Sequence, residues 1–243
     1  MCERFTYKDN DMLRVFIGFD PVETVAYHVA AHSIMRRTSL PVSITGLVLN
    51  QLPMTRERDP KQSTEFAFSR FLVPYLCDYR GVAVFMDCDT LCRVDILGIL
   101  DEAEPHHAVS VVKHDYAPKD APKFLDQPQS SYQRKNWSSV MVFNNALCTA
   151  LTPEYVNNAS GLDLHQFRWL EDSQIGALHR DWNHLVGEYE PNPQANIVHF
   201  TRGTPCFMKY RFCEYAREWF DEHSAMLHYD RIGEYSRPER EAA

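Results

Sequence analysis

Val82-Ala83-Val84-Phe85-Met86-Asp87-Cys88-Asp89-Thr90 begins with five apolar residues and ends on two carboxylates one residue apart. An unbroken apolar run of this length, rich in β-branched and aromatic side chains, is the pattern of a strand covered on both faces in a parallel sheet. Ligands of open α/β sheets collect beyond the carboxyl ends of the strands, so the two acids stand where a site would be. Working outward, residues 13–19 form a second apolar, β-prone run. Asp20-Pro21-Val22-Glu23 then offers an N-cap acid, a proline at the first helical position and an acid in the first turn. Val22, Val25, Ala26, Val29, Ala30, Ser33 and Ile34 follow at helical spacing, and a strand over residues 42–49 completes a βαβ-like unit.

The remaining elements are read the same way. Residues 50–62, polar and containing Pro53 and Pro60, predict a loop, and a helix from Ser63 or Thr64 through Phe66, Arg70 and Val73 is predicted to kink or break at Pro74. Strands are expected at 108–112, 140–143 and 196–200, and helices at 167–178 and 208–226. The stretch from His114 to Asn136 has the length and polarity of a functional loop, and 237–243 those of a solvated tail. The fold class is therefore α/β, a mostly parallel sheet flanked by helices, in one domain spanning 1–243.

Composition narrows the function. With 243 residues and 44% hydrophobic content the chain can bury a large core. A net charge of −8 argues against nucleic acid or an anionic membrane surface as partner. No apolar run is long enough to span a bilayer, and the polar first eleven residues lack a secretory signal, so the expected location is the cytoplasm. Seven cysteines, odd in number and without CxxC spacing, read as reduced thiols, which leaves the sequons at Asn136 and Asn158 without meaning.

Asp87 and Asp89 supply hard oxygen ligands suited to Mn²⁺ or Mg²⁺ with a shell completed by phosphate oxygens and water. The plainer alternative is that one acid caps the turn at 90–94 and the other is solvated. A haloacid-dehalogenase phosphatase would carry DxDxT near its N-terminus, whereas Thr90 follows Asp89 directly. Nucleotidyltransferase, Walker A and dinucleotide-binding sites need a glycine-rich loop after the first strand, and Phe19 to Glu23 contains none.

Several separated segments resemble the family 8 glycosyltransferases and their GT-A type relatives. Ala67 to Leu76, with Arg70-Phe71 and Pro74, is similar to the helix that precedes the family's metal-binding strand end, which Val84 to Thr90 resembles in turn. Val94 to Leu100 is similar to the segment after it, and Asn196-Ile197-Val198-His199-Phe200-Thr201-Arg202-Gly203 to the late strand whose histidine returns to the metal. The resemblance covers most of residues 14–207. It implies a Rossmann-like GT-A fold, with 14–100 as the nucleotide-sugar and metal half and 101–230 as the acceptor half. It also implies transfer of a sugar from a nucleotide donor, a UDP-sugar, to an unidentified acceptor with retention at the anomeric carbon.

By the same resemblance Asp87, Asp89 and His199 are the metal ligands, and Asp20, Arg70, Arg202 and Gly203 contact the nucleotide sugar. Asp172 or Glu171 faces the reacting carbon or orients the acceptor hydroxyl. Alone, His199 would read as a satisfied or a surface histidine, and Asp20 as only a helix cap. Where the family continues through Gly to Lys-Pro-Trp, this chain reads Gly203-Thr204-Pro205-Cys206-Phe207, leaving Arg202 or Lys209 to replace the lysine. Asn136-Trp137-Ser138-Ser139 stands in place of Asn-x-Gly, and Glu171 to Gln174 represents the family's acidic segment only loosely. These departures motivate a second reading, a nucleotide-sugar binder that has lost transfer. Trp169 and Trp182 are expected in the core, Tyr132 and Trp137 near the variable half. The Met208, Phe212, Tyr215, Trp219 spacing predicts a helix face packed on the sheet or on a partner subunit of a homo-oligomer.

Overall fold

A computed structural model describes residues 12–59, 62–115 and 133–227. Strand β1 (Leu13–Gly18) leads through a 3₁₀ turn at Pro21–Glu23 into α1 (Thr24–Met35), and β2 (Val42–Leu47) follows. After the short α2 (Val73–Leu76) come β3 (Val82–Met86), β4 (Thr90–Cys92), β5 (Val109–Val112) and β6 (Val140–Asn144). Then follow α3 (Pro153–Asn158), α4 (Gly161–His165), β7 (Ile175–Leu178), β8 (His184–Leu185), β9 (Ile197–His199) and α5 (Ala216–Leu227).

Six strands form the central sheet in the order β2-β1-β3-β6-β5-β7. The pairs β1–β2, β1–β3 and β5–β7 are parallel, and β6 alone runs against its neighbours. The expected fold class is observed: a mixed α/β domain with a mostly parallel sheet and helices flanking it. Four of the five residues of β3 are buried, as are all four of β5, which is what an apolar run without alternation demands. Gly18 closes β1 because the ring of Phe66 lies over it. A Cβ there would come within 2.3 Å of that ring.

A second sheet, β4-β9-β8, was not anticipated. Residues 90–92 form a strand instead of a turn, paired antiparallel with β9 in a register that sets Thr90 opposite His199. Helix α1 packs against β4 and α5. Buried Glu222 on α5 fastens that junction, lying 2.5 Å from His32 Nδ1, 2.7 Å from Arg37 Nη2 and 3.5 Å from Arg36 Nη1.

Four sequence expectations are corrected. Val22 and Val25 are exposed because the tighter 3₁₀ turn at Pro21–Glu23 shifts the helical phase; Ala26, Val29, Ala30, Ser33 and Ile34 keep the buried face. Pro74 lies in the first turn of α2 and does not end a longer helix, its missing N–H costing nothing there, and a 3₁₀ turn at Ser69–Leu72 precedes α2. Residues 167–178 are not a helix: Phe167 takes a positive φ of 55°, a 3₁₀ turn spans Asp172–Gln174, and Ile175–Leu178 is the edge strand β7. Gly176 permits that edge, since a Cβ would sit 2.5 Å from Ser110 Oγ across the pairing. The last helix begins only at Ala216, because Tyr215 has a φ of 59° and its hydroxyl donates to Asn192 O at 3.0 Å.

That late start leaves Met208 and Phe212 at the surface, 78% and 93% exposed, while Trp219 is buried. Trp182 is a core residue as expected and Trp169 is partly buried. Cys77, Cys88, Cys92 and Cys148 are buried free thiols, and burial pushes Cys92 up to about 12. Cys2, Tyr132, the 237–243 tail and most of the expected functional loop lie outside the described residues. No described helix is long and apolar enough to cross a membrane.

Candidate metal and donor site

The two acids of the opening motif leave β3 where it parts from the sheet. The β3–β6 ladder runs one bond further, Asp87 N–H donating to Ser139 O at 2.9 Å, and the chain then turns into β4. Phe200 N–H donates to Asp89 O at 2.9 Å, extending the β4–β9 pairing and drawing the histidine beside both acids. His199 Nε2 lies 3.2 Å from Asp89 Oδ1 and 3.9 Å from Asp87 Oδ2. One ligand atom from each of the three residues falls within 4.8 Å of the others. Among the described residues Glu104, His106 and His107 form a second such group, at the surface.

Arg70 approaches Asp87 from the 3₁₀ turn before α2. Its Nη1 is 2.9 Å from Asp87 Oδ1 and donates to Ser138 O at 2.8 Å, and the guanidinium lies over the rings of Phe66 and Phe85. Asp87 Oδ1 and Asp89 Oδ1 are buried with charged neighbours but without an aligned hydrogen-bond donor. Buried carboxylate oxygens left so are costly unless paired or metal-bound. Oxygen donors with one imidazole suit a hard or borderline divalent cation, so the residues present fit Mn²⁺ or Mg²⁺.

The electrostatics agree. Burial raises Asp87 to about 6 even though Arg70 pulls it down, with Asp89 adding to the rise. Glu23, buried at the start of α1, is pushed well above the usual carboxylate range by burial and then by Asp89 and Asp20. Burial acts to lower His199, but Asp89 and Asp87 outweigh it and the imidazole is raised. Three acids against one arginine and one histidine make a pocket that favours added positive charge.

These groups line a cleft of about 370 Å³, toward the lower end of the roughly 300–1,000 Å³ that small-molecule sites occupy. Glu23, Arg70, Lys135, His165 and Arg202 bring charge or imidazole to its wall. Arg202 pairs with Glu188 at 3.0 Å and also borders a second cavity of about 380 Å³. Gly203, with φ 133°, lines that second cavity and not the cleft. Asp20 does not line the cleft: Oδ1 caps the turn by accepting from Val22 N–H, one oxygen as expected, and Oδ2 accepts from Glu65 N–H, both at 3.0 Å, so both oxygens are engaged within the fold.

Asp172 and Glu171 are not brought to the cleft. Asp172 is 86% exposed and 2.5 Å from Arg134 Nη2, and Glu171 takes part in a capping box with Gln174 at the surface. Lys209 is exposed, against Tyr210, and Trp137 is turned aside to donate from Nε1 to His114 O. Sequence reading missed Glu23 as a cleft residue, having taken it for a helix-start acid alone. It also missed Lys135 and His165, for which no local pattern existed.

The fold is that of the GT-A glycosyltransferases. The apo structure of WbbM, a bifunctional glycosyltransferase, superposes with a TM-score of 0.63 at 14% identity over 88% of this chain, which spans half of that longer protein. The galactosyltransferase LgtC, solved with donor and acceptor sugar analogs, gives 0.55 at 9% identity, covering 91% of this chain and 99% of its own. Protein CDI of Arabidopsis thaliana is 44% identical over 220 residues, 86% of this chain and 85% of that protein, and the chain belongs to the same family. No family model matches.

Proposed function

We propose that this chain is a metal-dependent glycosyltransferase of the family 8 type, moving a sugar from a UDP-sugar to an acceptor with retention at the anomeric carbon. The observation that carries the proposal is the convergence of Asp87, Asp89 and His199 from two sheets at the floor of a substrate-sized cleft. Resemblance to family 8 and the GT-A fold add the nucleotide donor. The fit of the site extends to Mn²⁺ or Mg²⁺ as cofactor.

A divalent ion held there supplies Lewis-acid charge against the diphosphate that departs from the sugar. The chain's own residues do the rest. Arg70 holds Asp87 in place by its ion pair and is itself fixed by Ser138 O. Lys135 and Arg202, on the cleft wall, take over the cationic role of the lysine that the family carries after its glycine. Glu23, set among Asp20, Asp87 and Asp89, faces hydroxyl or N–H groups of the donor and not its phosphates.

A second reading is favoured by one specific observation, that Asp172 and Glu171 are not among the residues lining the cleft: a nucleotide-sugar binder without transfer. Calorimetry of UDP with and without Mn²⁺, followed by a donor screen reading released nucleoside diphosphate, separates them. Metal-dependent binding with turnover of a donor supports the transferase, and binding without turnover of any donor supports the silent binder. Absence of any metal-dependent binding refutes both.

A further inference from the structure

We infer that Asn183 is a positioning residue that fixes the ring of His199 through a one-way chain of hydrogen bonds, an inference that rests on the metal site proposed above. Asn183 is fully buried at the end of the 3₁₀ turn Arg180–Asn183, immediately before β8. Its Oδ1 lies 3.0 Å from His199 Nδ1. Its Nδ2 lies 2.8 Å from Ser139 Oγ, 3.0 Å from His114 Nε2 and 3.3 Å from Asn136 O.

Proton counting fixes the directions: Nδ2 has two hydrogens for three acceptors, so Ser139 Oγ and His114 Nε2 take one each and the longer contact to Asn136 O is shared. Asn136 O is a carbonyl and only accepts. Ser139 Oγ has one hydrogen and donates it to Asn136 O at 2.7 Å, so toward Asn183 it too can only accept. The Asn183 corner that meets these two oxygens must therefore be the NH₂, which leaves Oδ1 facing His199. His199 Nδ1 must then carry a proton, and Nε2 is the atom presented to Asp87 and Asp89. On the far side His114 Nε2 accepts from Asn183, so the His114 proton sits on Nδ1 and is donated to Tyr189 OH at 2.9 Å. Burial, with His199 and His184 nearby, drives His114 down to about 3, in keeping with a neutral ring.

The β4–β9 register sets the backbone of His199, and the bond to Asn183 holds its ring from the Nδ1 side, opposite the nitrogen that faces Asp87 and Asp89. Ligating histidines commonly owe their orientation to such a partner on the other nitrogen, and loss of that partner costs roughly 10- to 100-fold in metal affinity.

The test is Mn²⁺ calorimetry on the full chain, with thermal unfolding in chelator as a control on folding. Asn183→Leu is expected to weaken Mn²⁺ about 10- to 100-fold. Asn183→Asp keeps an oxygen at the His199 side but sets a second one against Ser139 Oγ, Asn136 O and His114 Nε2, so it recovers part of that loss. A merely structural role would lower the unfolding temperature of both variants and leave the affinity of the folded protein unchanged, which overturns the inference. Should Asn183→Leu fail to fold, Asn183→Ser leaves Nδ1 without its acceptor and carries the same expectation. If the wild type binds Mn²⁺ and Asp89→Asn does not, an unaltered affinity in Asn183→Leu or Asn183→Ser overturns the inference alone. If the wild type binds no Mn²⁺, the metal site falls and the inference with it.

Discussion

Replacing Asp87 by asparagine should stabilise the metal-free protein and abolish its response to metal. Burial, offset in part by Arg70, raises this carboxyl from 3.8 to about 6. A raised carboxyl binds its proton more tightly in the folded state, so stability is fullest below the unfolded value and is lost as pH rises from about 4 to about 6. Above that window the ionised group carries a constant penalty. At about 1.4 kcal/mol for each pH unit between the unfolded and folded values, the penalty is about 3 kcal/mol. Asparagine, shaped like the protonated acid, removes it. For a domain of this size each kcal/mol moves the midpoint by roughly 2–4 °C, so Asp87→Asn in chelator at pH 7.5 should melt several degrees above wild type. Near pH 4 the two should coincide. Added Mn²⁺ at a hundred times its Kd stabilises wild type by about 2.7 kcal/mol, and the variant should gain nothing. Scanning fluorimetry from pH 4 to 8, with chelator and with Mn²⁺, reads all of this. A variant less stable than wild type in chelator at pH 7.5, or one equally stabilised by Mn²⁺, would refute the reasoning.

Glu222→Ala leaves the partly exposed Arg37, Arg36 and His32 without their shared carboxylate, and urea unfolding should show a loss of about 1–3 kcal/mol. Gly18→Ala drives a methyl group into the Phe66 ring; a stability lowered by about 1–3 kcal/mol in the same assay checks this overpacking. Asp172→Asn breaks only an exposed pair with Arg134, so stability should move by less than about 1 kcal/mol and the Mn²⁺ affinity measured by calorimetry should not move at all.

The central strands were legible because each is an apolar run whose burial on both faces leaves no second arrangement open to it. Residues 13–18, 82–86, 109–112 and 140–144 are buried almost throughout. The acids after β3 were legible for a related reason, since charge is excluded from such a run and marks its end. Elements whose state depends on neighbours were misread. The segment 175–178 became a strand because β5 offered it an edge, and 208–215 stayed out of the last helix because Tyr215 is anchored on Asn192. The family resemblance made Asp172 a candidate site acid, and a 3₁₀ turn holds it at the surface beside Arg134.

By itself the sequence determined the order of the elements, the sheet's apolar interior and the carboxylate pair at its edge, because hydrophobic burial and strand periodicity act over a few residues at a time. Tertiary structure alone decided that Thr90 faces His199, that Arg70 reaches Asp87, that Glu23 is buried in the cleft and that Asn183 is locked between Ser139 and His199. Those contacts join residues 16 positions apart or more, and local propensity carries no information about such separations. Their geometry is set by the register of two sheets packed around one helix.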